Sequence, residues 1–204
     1  VKRISVEDCI HAMPLHYWEG THQASGRKVA VVVTGPGEQK VRHCIGVLRK
    51  GFLGADALFC IGSAGSLQPS IALGDMIAPL KVFSTQGARH FVNAGLFDFI
   101  TSTRPENVVV HEQNVITTGE YFQSIKQKQQ LSKTFAVGAC DSNGFTWVQM
   151  AHGINVRTVL LKTVCVAAGE YIPWPDDPPG PKAVSHDVVM QRVTSAAHQQ
   201  ADWL

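Results

Sequence analysis

The 204-residue chain is 45% hydrophobic and 17% charged, which gives it apolar material for a large core and excludes a disordered chain. Its net charge is +2, and the basic residues Arg3, Arg27, Lys28, Arg42, Arg49 and Lys50 are dispersed rather than gathered in one tract, so no nucleic-acid partner is expected. No run of eighteen or more apolar residues occurs, so no membrane partner is expected either.

The five cysteines, Cys9, Cys44, Cys60, Cys140 and Cys165, are odd in number, lack CxxC spacing and mostly sit in apolar runs. They read as reduced thiols, and with an N-terminus unlike a secretory signal they lead us to expect a cytoplasmic protein. The nine histidines show no HxxxH or HExxH pairing, so neither a metal site nor a cofactor is expected.

In chain order, an irregular opening rich in His and aromatic residues (His11, His16, Tyr17, Trp18, His22) precedes KVAVVV at 28–33, a β-branched run that reads as a strand covered on both faces. A Gly35-Pro36-Gly37 turn and a helix with Val41, Cys44, Ile45 and Leu48 on one face follow, and ADALFCIG at 55–62 completes a βαβ unit. Further strands are expected within 75–83, 107–119, 134–139 and 157–167, and helices over 122–132, 142–153 and 185–203, the last behind a Ser185 N-cap. YIPWPDDPPGPKA at 171–183 reads as a proline-rich surface loop. The expected fold is α/β: one domain over 1–204 with a central, mostly parallel or mixed sheet flanked by helices.

In such sheets ligands sit at the carboxyl ends of the strands, where small residues let the backbone approach closely. GSAGSL, residues 62–67, stands at that place. The stretch TGPGEQK through GSAGSLQPSIALGD resembles the purine nucleoside phosphorylase and uridine phosphorylase superfamily, in which a Gly-x-Gly turn opens a helix and a Gly-Ser-Ala-Gly loop precedes Gly-Asp. VITTGEYF at 115–122, CDSNGFTWVQMAHGINVRTVLLKTV at 140–164 and SHDVVMQRV near the end resemble later segments of that superfamily, in the same order. The resemblance spans roughly residues 29–203 and is nearest to the nucleosidase branch.

The resemblance implies cleavage of the N-glycosidic bond between a base and ribose, with a small-molecule nucleoside as partner. Ser63, Ala64 and Gly65 match the loop that approaches the ribose, and Phe122 the aromatic that packs against the base. Asp141, Ser142 and Asn143 stand where the family has Glu-Met-Glu, so Asp141 is expected to orient the ribose and Asn143 to meet its 2′ and 3′ hydroxyls. Asn143 brings no negative charge to stabilise a ribosyl cation.

The family's base-protonating aspartate falls on Val166, which cannot transfer a proton; Glu170 or Asp176 would have to substitute. Where hexameric phosphorylases have a phosphate-gripping arginine this chain has Cys60, which tilts the expectation toward hydrolysis, with phosphate held by Arg89 or Arg42 as the alternative. A catalytically inactive nucleoside-binding or storage protein is the other reading. Before Tyr17 no family-like first strand is legible, so either that strand is missing or HYWEGTH builds the entry side, with Glu19, His16 and His22 as candidate bases. The family's habit of forming homo-oligomers points to Phe91, Leu96, Phe97 and Phe99 as an interface. A dinucleotide fold is disfavoured, because TGPGEQK lacks the third glycine.

Overall fold

The structure is a computed structural model of the chain; it describes residues 2–6, 15–23, 25–51, 55–118, 124–173 and 180–203. The chain forms two compact units, Val1–Leu53 and Gly54–Leu204.

The first unit contains β1 (Lys2–Val6), β2 (Leu15–Thr21), β3 (Lys28–Val33) and α1 (Glu38–Gly51). The three strands form an antiparallel sheet in the order β1-β2-β3, with His16 opposite Val33 and Thr21 opposite Lys28. The opening is therefore two strands rather than irregular chain. Among the described residues of this unit β3 pairs with β2, and Val29, Val31 and Val33 are each about half exposed (47%, 51% and 51%). This corrects the expectation of a strand covered on both faces: a β-branched run favours any extended ladder, and its pairing here is with a neighbouring hairpin strand. Gly35 and Gly37 adopt φ of 67° and 98° on either side of Pro36, which turns the chain into α1. Glu38, in the first turn of α1, pairs with Arg42 at 3.6 Å.

The second unit runs through β4 (Ala57–Ser66), β5 (Met76–Ile77), β6 (Lys81–Ser84), β7 (Arg89–Phe91), α2 (Ala94–Ser102), β8 (Val110–His111), β9 (Val115–Thr117), α3 (Ile125–Phe135), β10 (Ala139–Asp141), α4 (Gly144–Gly153), β11 (Arg157–Val166) and α5 (His186–Trp203). Its eight strands form one mixed sheet in the order β7-β6-β9-β10-β4-β11-β5-β8, the α/β architecture expected from the sequence.

Two parallel blocks make up the centre of the sheet. β6, β9 and β10 are parallel to one another, and β4 is parallel to β11. An antiparallel seam joins them, with Ala139 opposite Ser66 and Cys140 opposite Gly65. β11 is buried from Thr158 to Val166, as its nearly continuous apolar sequence requires.

The expected 75–83 strand divides at Pro79 into β5 and β6, because proline has no N–H for the ladder. The run expected at 134–139 is instead the end of α3 and a turn through Ala136, which sits in the left-handed region at φ 50°. Helix α3 opens on a capping box, in which Ser124 and Gln127 each bond the other's backbone N–H. Ser185 Oγ accepts from the N–H of Val188 at the start of α5, as its expected capping role requires. Among the described residues no helix is long and apolar enough to cross a membrane.

Candidate functional site

The glycine-rich stretch lies inside a strand, not in a loop: β4 continues to Ser66. Ala64 and Gly65 are buried, and Ser63 is half-buried. Alternation along the strand sends positions 62 and 65 to opposite faces, and each glycine makes room for a buried lysine. A Cβ on Gly62 would stand 3.4 Å from Lys162 Nζ. One on Gly65 would meet Cys140 Sγ at 3.3 Å and both Lys128 Nζ and Val166 at 3.9 Å. Part of the space opened by small residues is thus filled by the protein's own side chains.

On the first face, Lys162 of β11 reaches over Gly62 to Asp141 at the end of β10, with Nζ 3.0 Å from Oδ2; their side chains are 3% and 0% exposed. Asp141 Oδ1 accepts from Thr117 Oγ1 at 2.6 Å, and Oδ2 also accepts from the N–H of Gly144 at 2.8 Å. Thr117 Oγ1 in turn accepts from the N–H of Phe145 at 2.7 Å. Two of the orphan N–H groups that open α4 are therefore satisfied by side chains of neighbouring strands, and Asp141 fixes where the helix begins. Its carboxylate thus receives three donors from within the protein.

Ser142 and Asn143 form the step from β10 into α4. Asn143 is the N-cap residue and makes no side-chain capping bond; its Oδ1 lies 3.4 Å from Lys162 Nζ. Ser142 is buried, and its Oγ has no hydrogen-bond partner among the described residues. A buried hydroxyl left unsatisfied carries a free-energy penalty that a bound polar group would remove. Cys60, on the same strand as Gly62, is buried; burial raises its thiol pKa, against the pull of the Lys162 ammonium. Next to this face, His90 of β7 packs its ring 4.9 Å from that of Phe145 and 5.3 Å from that of His152. Burial first, and then the charge of His152, lower the pKa of His90.

The second face holds Glu170. Lys128 of α3 donates to the carbonyls of Ala167 and Glu170 at 2.8 and 2.9 Å. Arg192 of α5 grips the Glu170 carboxylate with both terminal guanidinium nitrogens, Nη1 and Nη2, at 2.7 and 3.1 Å, and Ala167 N–H donates to it at 2.9 Å. Burial alone would raise the Glu170 pKa; the bonds from Arg192 and Ala167 and the charges of Arg192 and Lys128 outweigh it and hold the carboxyl ionised. Val166 is buried in a cluster with Ile172, Val184 and Val189. Phe122 and Asp176 lie outside the described residues.

Asp141, Ser142, Asn143 and the β4 stretch therefore converge, while Glu170 belongs to the cluster under α3 and α5. Among the alternatives, Arg42 is bound to Glu38, Arg89 is exposed, and His22 is exposed and bonded to Ser25. Phe91 and Phe99 are 48% and 54% exposed, whereas Phe97 is buried. Lys162 and Thr117 beside Asp141, and Lys128 and Arg192 around Glu170, were not among the expected site residues. Lys162 had a legible signal, since a lone lysine inside the apolar run RTVLLKTVCV requires a buried partner.

The phosphorylase superfamily model matches residues 10–202. The chain belongs to the phosphorylase superfamily. Solved members share the fold at low sequence identity. The chain is similar to the 5′-methylthioadenosine/S-adenosylhomocysteine nucleosidase of Campylobacter jejuni, at 15% identity and a TM-score of 0.80 over 99% of this chain and 87% of that one. It is similar to the Helicobacter pylori nucleosidase crystallised with butyl-thio-DADMe-Immucillin-A, at 13% identity and 0.78 over 99% and 85%. The native futalosine hydrolase of Helicobacter pylori strain 26695 gives 13% identity and 0.79 over 99% and 84%. No curated protein matches the chain. Within this superfamily frame, the β10–α4 step and the small-residue end of β4 are the candidate site.

Proposed function

We propose that this member of the phosphorylase superfamily cleaves the N-glycosidic bond of a nucleoside or related N-riboside, with water rather than phosphate accepting the ribosyl group. The observation that carries the reading is the buried Ser142 hydroxyl at the β10–α4 step, which has no partner among the described residues and lies next to the amide of Asn143. Ser142 and Asn143 would take ribose hydroxyls, Ser63, Ala64 and Gly65 would let the sugar approach β4, and Phe122 would face the base. Asp141 would act from behind by holding the first turn of α4. In the reaction the C1′–N bond breaks, its electron pair leaves with the base, and water adds at C1′ with loss of a proton.

Cys60 supports water over phosphate: a buried neutral thiol cannot balance a phosphate dianion. The solved relatives that are nucleosidases or hydrolases support the same choice. A catalytically silent nucleoside-binding protein is the second reading, favoured by the ionised state of Glu170, which has no proton to give a departing base near neutral pH. A homo-oligomer in the cytoplasm belongs to the same proposal, with Phe91 and Phe99 as exposed apolar residues available to a second copy.

The test is release of free base, followed by chromatography, from purine and pyrimidine nucleosides, 5′-thioethers and a quaternary N-riboside that needs no leaving-group proton. Release without phosphate supports the hydrolase; release only with phosphate overturns the choice of water. Thermal stabilisation by a nucleoside with no release supports the silent binder.

A further inference from the structure

Gln200 is a buried polar residue that the site described above does not use. It is 5% exposed and lies on the inner stripe of α5 with Val189, Val193 and Ala196, where a helix packed on a sheet normally places apolar side chains. An amide in such a position is unfavourable unless its hydrogen bonds are made. Here Nε2 donates to the carbonyl of Gly62 at 3.0 Å and to Thr163 Oγ1 at 2.8 Å, with the carbonyl of Leu161 at 3.5 Å.

These acceptors surround one place in the sheet. Lys162 is the register partner of Gly62, and Thr163 of Ser63. Strand alternation turns Thr163 to the face opposite Lys162, so Gln200 holds from below the strand pair that the Lys162–Asp141 ion pair crosses from above. The carbonyl it grips belongs to the peptide that links Gly62 to Ser63. Gly62 has no side chain to anchor that peptide by packing, and Ser63 follows it directly. On the other side of Thr163, Arg192 bonds the carbonyl of Cys165, the residue skipped in the register between Val164 and Val166. α5 thus holds β11 both ahead of its bulge, at Thr163, and at the bulge itself, at Cys165.

We propose that Gln200 is a positioning residue for the nucleoside site, fixing the Gly62–Ser63 peptide so that Ser63 and Lys162 keep their places. The proposal rests on the nucleosidase reading for its catalytic part. Gln200→Met keeps the length of the side chain and removes the donors, and Thr163→Val removes only the side-chain acceptor. The measurements are kcat and KM for base release, Tm, and amide hydrogen exchange at residues 62–65.

Gln200→Met is expected to lower kcat by about tenfold to a hundredfold with KM little changed, as misplacement of a reacting group does. Exchange at Ser63 and Ala64 is expected to speed up by about tenfold while β9 is unaffected. Thr163→Val leaves both readouts near wild type, because the Gly62 bond survives. Unchanged kcat and exchange in Gln200→Met overturn the proposal, and so does a fall in Tm with full kcat in the folded fraction. If Gln200→Met does not fold, Gln200→Asn, which keeps the amide but shortens its reach, is read by the same criteria. If the wild-type protein releases no base, the nucleosidase reading fails, and the exchange comparison still decides whether Gln200 fixes this peptide.

Discussion

Replacing Asp141 with Asn tests how the site is held together. The ion pair it forms with Lys162 is almost fully enclosed, at 3.0 Å, and the carboxylate also serves Thr117 and the N–H of Gly144. Asparagine has a single acceptor oxygen, so at least one of these donors is abandoned and the Lys162 charge is left buried without compensation. Removing one partner of a buried pair costs about 3–5 kcal/mol. At about 2–4 °C per kcal/mol for a chain of this size, Tm falls by roughly 6–20 °C. Urea denaturation should show a lower midpoint with an unchanged slope. The double variant Asp141→Asn/Lys162→Met removes the stranded ammonium and should recover part of the loss, the two changes being strongly non-additive. A single-variant loss below about 1 kcal/mol, or strict additivity, would refute the inference that this pair is desolvated and coupled.

Lys128→Met should destabilise the protein by about 1–3 kcal/mol at pH 7, because the Ala167 and Glu170 carbonyls lose their buried donor. Burial lowers the Lys128 pKa, so the unfolded chain binds the extra proton as pH rises toward about 10.4, and the stability that wild type gains over the variant should widen in that window. The Glu170 pKa is lowered in the folded state, so its pairing with Arg192 contributes above the unfolded carboxyl value of about 4.3 and is lost as pH falls through the folded one. Arg192→Met should flatten that acid arm, as measured by denaturation at a series of pH values. Burial pushes the thiols of Cys44, Cys140 and Cys165 up to about 12, 11 and 11. In native protein near pH 8 these three should resist a thiol reagent and label only as denaturant unfolds the chain. Their contribution to stability is full below about pH 8.5 and declines as pH rises toward the folded values.

The strongly periodic elements were legible in the sequence. β11 is a ten-residue strand with a mostly apolar, nearly fully buried sequence, and α4 and α5 carry apolar faces with a serine or asparagine at the boundary. α2 was not legible as a helix, because AGLFDFITS is apolar on most sides and reads equally as an exposed cover. The partner of β3 was illegible for a different reason: β-branched residues specify extension but not which neighbour supplies the ladder. In the candidate site, Asp141, Ser142 and Asn143 could be found as a block. Their contacts could not, since Lys162 and Thr117 come from different strands and lie 45 positions apart in the sequence. Glu170 looked available because it precedes a proline-rich stretch; its engagement with Arg192, 22 residues later, is a tertiary event.

The two-block sheet bears on the order in which the site can be assembled as the chain is made. β6, β9 and β10 are close in sequence and their parallel ladders close short loops. β4 and β11 meet only across a separation of about 100 residues, as the bond from Thr158 to Leu58 illustrates, and closing so long a loop is slow. Ser142 and Asn143 therefore emerge on a block that can already be paired, while Ser63 waits on a strand whose parallel partner has yet to leave the ribosome. Until β11 arrives with Lys162, the edge of β4 that β11 covers stays unpaired, and an open edge of this kind exposes a nascent chain to aggregation.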